Sequence, residues 1–274
     1  MNNLISILLF SALLLTSSGV SAATIINIEV ADLTNPNKPA DKRIGYIQNG
    51  KMSIQSNTAA KDTDLLYDKA RSAITIVNHQ ERTFMLLDER SVTKFMSGTM
   101  QMMNRVQEQL SQQMQGMSPE QRAQIERMMG GLAQPPKKSE EPPIEYIKTN
   151  KTQKVHGIAC RITSLVKAGK PVTEICLAKT TAIKMPAGDL QTLLSMQATA
   201  AKIAGAAAPL IKRIGAQMPE FGGNNLDGLP LMVTDLAGNN RTQMTVKSVS
   251  QGNAPKKAMS VPQGYRPTQL PALN

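Results

Sequence analysis

Two histidines and two cysteines are the side chains best suited to metal or nucleophilic chemistry in this sequence. His79 lies in a predicted turn, and His156 precedes a predicted strand. Two cysteines exclude a four-cysteine zinc site. A mixed site would need His79, His156, Cys160 and Cys176 to converge on one point. A Ser–His–Asp arrangement could form only through tertiary contacts, and we expect both histidines to be exposed or at strand edges.

Sequence motifs for the common catalytic sites are absent. The chain contains no G-x-S-x-G elbow, no P-loop, no G-x-G-x-x-G and no H-E-x-x-H. The neighbouring carboxylates Asp62/Asp64 and Glu140/Glu141 lie in predicted loops, where solvation is expected rather than acid–base chemistry. We therefore predict no catalytic residue, no metal site, no cofactor and no enzyme activity.

Methionine is unusually abundant, with 17 in the chain and many between residues 96 and 129. Thioether sulfurs could hold Cu(I) in an exported protein. Burial of the same side chains on an amphipathic helix is the alternative. Because methionine is flexible and polarisable, it also suits a groove that adapts to varied apolar ligands. The candidate apolar groove consists of Phe95, Met96, Met103, Val106 and Leu110.

The net charge of +11 and the aromatic content of 3%, with no Trp, limit the classes of partner. Nucleic-acid platforms stack bases on many aromatic rings, so we predict no nucleic-acid partner. Basic residues are densest between 137 and 184. They form either a solvated basic face or a surface attracted to anionic lipid headgroups.

The N-terminus has the pattern of a signal peptide. Residues 4–15 are an uncharged apolar run, although no Lys or Arg precedes it, and Val20-Ser21-Ala22 fits the small-residue cleavage rule. We predict cleavage between Ala22 and Ala23. No later segment is long and apolar enough to span a membrane, so we expect a protein of the periplasm, or a secreted one.

Export to an oxidising compartment makes a Cys160–Cys176 disulfide the expected state of the two cysteines, with two free buried thiols as the alternative. A three-residue turn at 167–169 would pair Val166 with Lys170 and place the cysteines directly opposite each other. A register shifted by one would bury Ile162 with Ile175 but send the sulfurs to opposite faces.

Hydrophobic periodicity predicts blocks of strands separated by two helical insertions. Apolar spacing of three to four residues predicts a helix over Glu89–Met117, restarting after Ser118 and followed by a polar linker at 134–143. A second helical region covers about 188–217. This order predicts an α+β fold, with a curved antiparallel sheet that carries its helices on one face.

Several short motifs, taken in order, resemble one known family. They cover most of the chain after the signal peptide and are Tyr67-Asp68, Glu81-Arg82-Thr83-Phe84, Gly157-Ile158-Ala159-Cys160, Glu174-Ile175-Cys176-Leu177-Ala178, Leu229-Pro230-Leu231 and Val261-Pro262-Gln263-Gly264-Tyr265. This set resembles a bacterial exported domain-of-unknown-function family, number 4412, which is similar in fold to LolA-like periplasmic lipoprotein carriers. The resemblance implies an incomplete β-barrel with amphipathic helices packed on the concave face, and no catalytic residues.

The expected organisation is a signal peptide at 1–22 and a single LolA-like domain at 23–274. That domain would contain helical insertions at about 89–133 and 188–217 and a loose Pro-rich tail after 266. The expected function is that of a soluble, non-catalytic periplasmic binding or carrier protein for a lipid or lipoprotein acyl chain. The alternative is a structural or protein-interaction module with a filled barrel, whose partner would be an envelope protein. The third interpretation is copper handling through methionine.

Overall fold

The computed structural model describes residues 22–56, 63–115, 118, 142, 144–213, 227–238 and 241–270. Within them lie two α-helices, α1 (Glu89–Gln115) and α2 (Ala187–Arg213), and a 3-10 turn at Thr180–Ala182. The predicted helix after Ser118 lies outside the described residues, as does the predicted signal peptide up to residue 21. The strands described are β1 (Ala23–Asp32), β2 (Asp41–Gln48), β3 (Lys51–Ser56), β4 (Thr63–Asp68), β5 (Ala73–Asn78), β6 (Thr83–Leu87), β7 (Ile144–Val155), β8 (Ile158–Lys167), β9 (Lys170–Ala178), β10 (Leu229–Asp235), β11 (Thr242–Gly252) and β12 (Arg266–Thr268).

These twelve strands form one curved, unclosed sheet in the order β12-β6-β5-β4-β3-β2-β1-β11-β10-β9-β8-β7. The first strand lies in the middle, because β1 pairs with both β2 and β11. All neighbours are antiparallel except β12, which runs parallel to β6. The fold is therefore α+β with a mostly antiparallel sheet, as the order of elements predicts.

Hairpins with glycine at the second turn position shape the sheet locally. Asn49-Gly50 and His156-Gly157 both have positive φ at the two central residues, the conformation that matches the twist of the flanking strands. Asn-Gly is the residue pair that favours this kind of turn, so the first turn is recognisable from the sequence. The second turn joins β7 and β8 into one long hairpin.

The hairpin of β8 and β9 contains the Cys160–Cys176 disulfide, with 5.3 Å between the two Cα atoms. The predicted register is wrong. Ala168 and Gly169 form a two-residue turn that pairs Lys167 with Lys170, and an irregularity between Leu165 and Val166 shifts the pairing again. Cys176 consequently faces Ile162, and Cys160 is its diagonal neighbour on the same face. The disulfide forms because diagonal positions still share a face.

One face of the sheet carries α2 and is called here the helix face. Buried side chains of β1 to β5 pack against Leu193, Met196 and Ile203 of α2, and they are Ile26, Ile47, Met52, Tyr67 and Ile74. The disulfide belongs to a second cluster on the same face, together with Leu190 and Leu194 of α2. A third cluster lies on the opposite face and includes Ile175 and Leu177, since consecutive strand residues alternate between faces.

Polar contacts hold α2 in register on the helix face. The hydroxyl of Tyr67 on β4 lies 2.7 Å from Ser195 Oγ and 3.3 Å from Thr199 Oγ1. Thr24 Oγ1 on β1 donates a 2.6 Å hydrogen bond to Asp189 Oδ2 in the first turn of the helix. Because these bonds have fixed directions, they determine where along the sheet the apolar face of α2 lies.

The segment 253–268, called here the C-terminal strap, runs from central β11 to the outer side of β6, where its last residues form edge strand β12. Gln55 Nε2 donates to the carbonyl oxygen of Ala258 (3.4 Å), and the amide of Arg266 donates to the carbonyl oxygen of Arg82 (3.0 Å). Ile54 belongs to the helix-face cluster, so the next residue, Gln55, points to the opposite face. The strap that Gln55 contacts therefore crosses that opposite face. Residues 266–268 form β12, although the sequence predicts a loose tail after 266.

Candidate functional site

Helix α1 begins at a side-chain cap. Asp88 Oδ1 accepts a 2.6 Å hydrogen bond from the amide of Ser91, and Ser91 Oγ accepts a 3.1 Å bond from the amide of Asp88. The backbone and side-chain hydrogen bonds with Ser91 hold the pKa of Asp88 below its ordinary value. This reciprocal cap fixes the direction in which α1 leaves β6.

The burial of α1 changes along one side of the helix. Val92, Thr99 and Val106 are spaced seven residues apart and therefore lie close to one line along it. Val92 is 3% exposed and Thr99 is 7% exposed, whereas Val106 is 50% exposed. Helix α1 contacts β6 and α2, and its buried side chains Val92 and Thr99 lie in its first three turns. The apolar line continues into solvent beyond them.

The candidate groove residues lie along both the covered beginning and the exposed continuation of this apolar line. Phe95, Met96 and Met103 are half-buried, and Val106 is exposed. The side chain of Leu110 lies outside the described part. Met102 joins the exposed end with 47% of its surface accessible. The structure thus places Phe95, Met96, Met103 and Val106 on one helix side, and these described side chains form no single enclosed groove.

The cationic side chain of Arg105 lies at the exposed end and is itself exposed. Lys94 is exposed near the covered beginning of α1, where Lys202 on α2 lies 3.9 Å from Glu89. Arg105 is three residues beyond Met102, a spacing that makes two side chains neighbours on a helix. A shallow depression lined by Asn104, Gln107, Glu108, Ser111 and Gln112 marks the polar side of the same helix.

His79 occupies a defined site that the sequence analysis does not anticipate. Its Nε2 lies 2.9 Å from Asp64 Oδ2, and its Nδ1 lies 2.9 Å from the hydroxyl of Tyr265 in the C-terminal strap. Gln55 Nε2 donates a further bond to Asp64 at 3.2 Å. Asp64 and His79 lie at one end of the β4–β5 hairpin, but Tyr265 is 186 residues from His79, so only the tertiary structure shows that all three meet.

The chemistry open to this cluster is limited, because both ring nitrogens of His79 are engaged. A carboxylate can only accept hydrogen bonds, so His79 Nε2 carries a hydrogen and donates a hydrogen bond to Asp64. In the neutral ring Nδ1 then accepts from the Tyr265 hydroxyl. The arrangement ties the strap to the sheet. His156 is exposed in its turn and is not part of this cluster.

Methionine sulfurs in the described core take part in apolar packing. Met52, Met185 and Met196 belong to the cluster beneath α2, and Met232 Sδ accepts a hydrogen bond from Gln153. Among the described residues, no group of three or more His, Cys, Asp or Glu side chains could hold a metal ion. No helix in that part of the chain is both long enough and apolar enough to cross a membrane.

Basic side chains also line the free edge of the sheet. Lys148, Lys151 and Lys154 are exposed on edge strand β7. Lys148 pairs with Asp227, and this contact lowers the pKa of the Asp227 carboxyl. Lysines on an edge strand discourage pairing with another chain. Strand β7 lies at the opposite end of the strand order from β6 and α1.

Comparisons with known proteins leave the family open. No protein-family model and no curated protein matches the chain. Among solved structures, PNGF-II in its C2 crystal form aligns with a TM-score of 0.40 and 8% identity over 92% of this chain, which spans 32% of PNGF-II. An uncharacterized conserved protein from Thermus thermophilus aligns with a TM-score of 0.37 and 6% identity over 91% of each chain. The Pseudomonas aeruginosa MucA/MucB complex aligns with a TM-score of 0.31 and 7% identity over 87% of this chain and 54% of the other. At these TM-scores, the neighbours assign neither a family nor an activity.

Proposed function

We propose that the protein is an exported, non-catalytic binding or carrier protein for an anionic amphiphile with an acyl chain, such as a lipid or a lipoprotein anchor. One observation carries the proposal: the apolar side of α1 is covered at Val92 and Thr99 but open at Val106. Apolar surface left in water has an unfavourable free energy of hydration, which an acyl chain lying on it would remove.

The composition of the exposed end suits such a ligand. Met102 and Met103 can change rotamer to follow different chain shapes. Arg105 can contact a phosphate or carboxylate headgroup while its methylene stem lies beside Met102. The net charge of +11 favours an anionic over a zwitterionic headgroup.

The fold family, the cellular compartment and the absence of catalysis are also part of the proposal. A curved, unclosed sheet with helices on one face supports the proposed LolA-like fold. Membership of family 4412 is proposed from the sequence motifs alone. The disulfide supports an oxidising compartment such as the periplasm. Because both ring nitrogens of His79 are already bonded, the best-formed polar cluster favours a structural role over catalysis.

Binding of a fluorescent fatty acid, followed by its emission change, tests the proposal. Val106→Glu and Met102→Glu place a charge on the exposed apolar end, and we expect each to weaken binding at least tenfold. Gln101→Glu adds the same charge to a neighbouring exposed position off the apolar line and is the matched control. Equal binding by Val106→Glu and Gln101→Glu would contradict the proposal.

The headgroup contact has a separate test. We expect Arg105→Glu to weaken binding of the anionic fatty acid severalfold and to leave binding of the corresponding uncharged fatty alcohol nearly unchanged. A loss of the same size for both molecules would remove Arg105 from the proposed headgroup site.

A protein-interaction module is the second candidate, and the packing of α2 favours it. Side chains of α2 already cover the helix face over β1 to β5. In that case the exposed end of α1 would receive an envelope protein rather than a lipid. Native mass spectrometry of the exported protein separates the two, because a carrier retains a small amphiphile and a module does not.

A further inference from the structure

The beginning of β1 and the beginning of α2 meet at a buried carboxylate. Asp189 is 7% exposed, and its Oδ2 accepts a 2.6 Å hydrogen bond from Thr24 Oγ1. Gln251 Nε2 on β11 donates to the same hydroxyl at 2.8 Å. Asp189 therefore joins one helix to two strands at the centre of the sheet.

This carboxylate has no cationic partner within the described residues. None of the ion pairs between described side chains involves Asp189. Asp189 lies in the first turn of α2, where the helix N-terminus favours a negative charge. A positive charge beside this buried carboxylate would stabilise it further.

The proposed cleavage between Ala22 and Ala23 would create a positive charge one residue before Thr24, whose hydroxyl contacts Asp189. Ala23 is the first residue of β1, and Ala23 and Thr24 are both fully buried, whereas Ala22 is exposed. The nitrogen of Ala23 is about 5 Å from the Cα of Thr24 by covalent geometry. In the precursor this nitrogen is a neutral amide. After cleavage it is an α-ammonium group, which is charged at neutral pH.

We infer that the new N-terminus of the mature chain forms an ion pair with buried Asp189, so that removal of the signal peptide completes the fold. This inference rests on the exported localisation and cleavage site proposed above. It gives the precursor a less stable fold than the mature chain, which suits a chain that must stay unfolded until it is exported. Maturation then anchors α2 to β1 by a charged contact as well as by the Thr24 hydroxyl.

Two chains of equal net charge test the ion pair. One begins at Ala23, and the other retains Ser21 and Ala22, which moves the ammonium group by about 7 Å along an extended chain. Both can be released from a fusion by a protease that leaves the chosen N-terminus. We expect the chain that begins at Ala23 to melt about 2–4 °C higher than the longer chain.

Asp189→Asn in both chains completes the cycle, because asparagine keeps an acceptor for Thr24 but carries no charge. We expect the difference in melting temperature to vanish. Equal melting of the two unsubstituted chains, or a difference that persists with Asp189→Asn, would overturn the inference.

A second readout needs no substitution in the core. A paired ammonium group is shielded from acylating reagents, so the α-amine of Ala23 should react severalfold more slowly than that of Ser21. Equal rates would contradict the ion pair. The mass of the exported protein reports the natural N-terminus independently, so failure of the cleavage proposal is distinguishable from failure of the ion pair.

Discussion

Asp88 illustrates how much a single side chain contributes locally. Its carboxylate and the Ser91 hydroxyl bond each other's backbone amides at the start of α1. These bonds satisfy donors that a helix N-terminus otherwise leaves unpaired. Since they favour the ionised carboxyl, the same bonds also lower the pKa of Asp88.

We predict that Asp88→Ala lowers the free energy of unfolding by about 1 kcal/mol at pH 7. The lowered pKa sets the pH dependence. The stabilisation by the ionised Asp88 carboxyl is complete above its ordinary pKa of 3.8. It is lost as the pH falls below 3.8 and passes through the lower pKa of the folded state. Urea unfolding at pH 7 and near pH 3 measures this. Asp88→Asn, which keeps an acceptor, should cost less, and a cost for Asp88→Ala that is unchanged in acid would contradict the assignment.

The disulfide in the hairpin of β8 and β9 joins two cysteines that do not lie directly opposite each other. The turn at Ala168-Gly169 and the irregularity beyond Leu165 move Cys160 away from the position opposite Cys176. Both cysteines nevertheless remain on the helix face, in the cluster that includes Ile162 and Ile183. The disulfide requires both cysteine side chains to lie on the same face of the hairpin, and it does not require them to be directly paired across the two strands.

We predict that reduction of this disulfide lowers the free energy of unfolding by about 3 kcal/mol in the chain-entropy model, given the sequence separation of 16. Denaturant unfolding with and without reductant measures the difference. The double substitution Cys160→Ala/Cys176→Ala should unfold at the same denaturant concentration with or without reductant. Two free thiols in the unfolded, unreduced protein would contradict the assignment.

Helix α1 offers a matched pair of substitutions at two depths. Val92 and Val106 lie on one side of the helix, but only Val92 is buried. We predict that Val92→Ala lowers the free energy of unfolding by about 2 kcal/mol, whereas Val106→Ala changes it by less than about 0.5 kcal/mol. Thermal or urea unfolding of both variants measures the two losses of stability. Equal costs would mean that the fifth turn of α1 is as well covered as the first.

Across the whole molecule, the C-terminal strap links the centre of the sheet to one end. It leaves β11, crosses the face opposite the helices and finishes as β12 beside β6. Its anchor at Tyr265 connects it to His79 and Asp64. Leu66 and Val77, on the same face as Asp64, are buried. The strap therefore covers the outer side of β6 and makes the short strand β12 the last in the order.

We predict that Tyr265→Phe lowers the free energy of unfolding by about 0.5–1.5 kcal/mol, because one hydrogen bond to His79 is lost. Limited proteolysis should then cut the strap faster than in the parent chain. Ser260→Ala, at an exposed strap position whose hydroxyl bonds only within the strap, is the control. Unchanged proteolysis of Tyr265→Phe would show that the phenol does not hold the strap.

The amino-acid sequence by itself determines the features that depend on neighbours along the chain. Alternation and helical spacing predict most strands, α1 and α2, and the Asn49-Gly50 turn is recognisable from its residue types. The disulfide follows from cysteine content and the expected compartment. These predictions hold because side-chain period and turn conformation are local properties.

Only the tertiary structure decides which distant residues meet. Thr24 and Asp189 are 165 residues apart, and His79 and Tyr265 are 186 apart. The central position of β1, the pairing of β12 with β6 and the loss of cover along α1 at Val106 are likewise invisible in any short window. Each depends on how strands are ordered and on which surfaces remain unoccupied, and these follow from the packing of the whole chain rather than from its local periodicity.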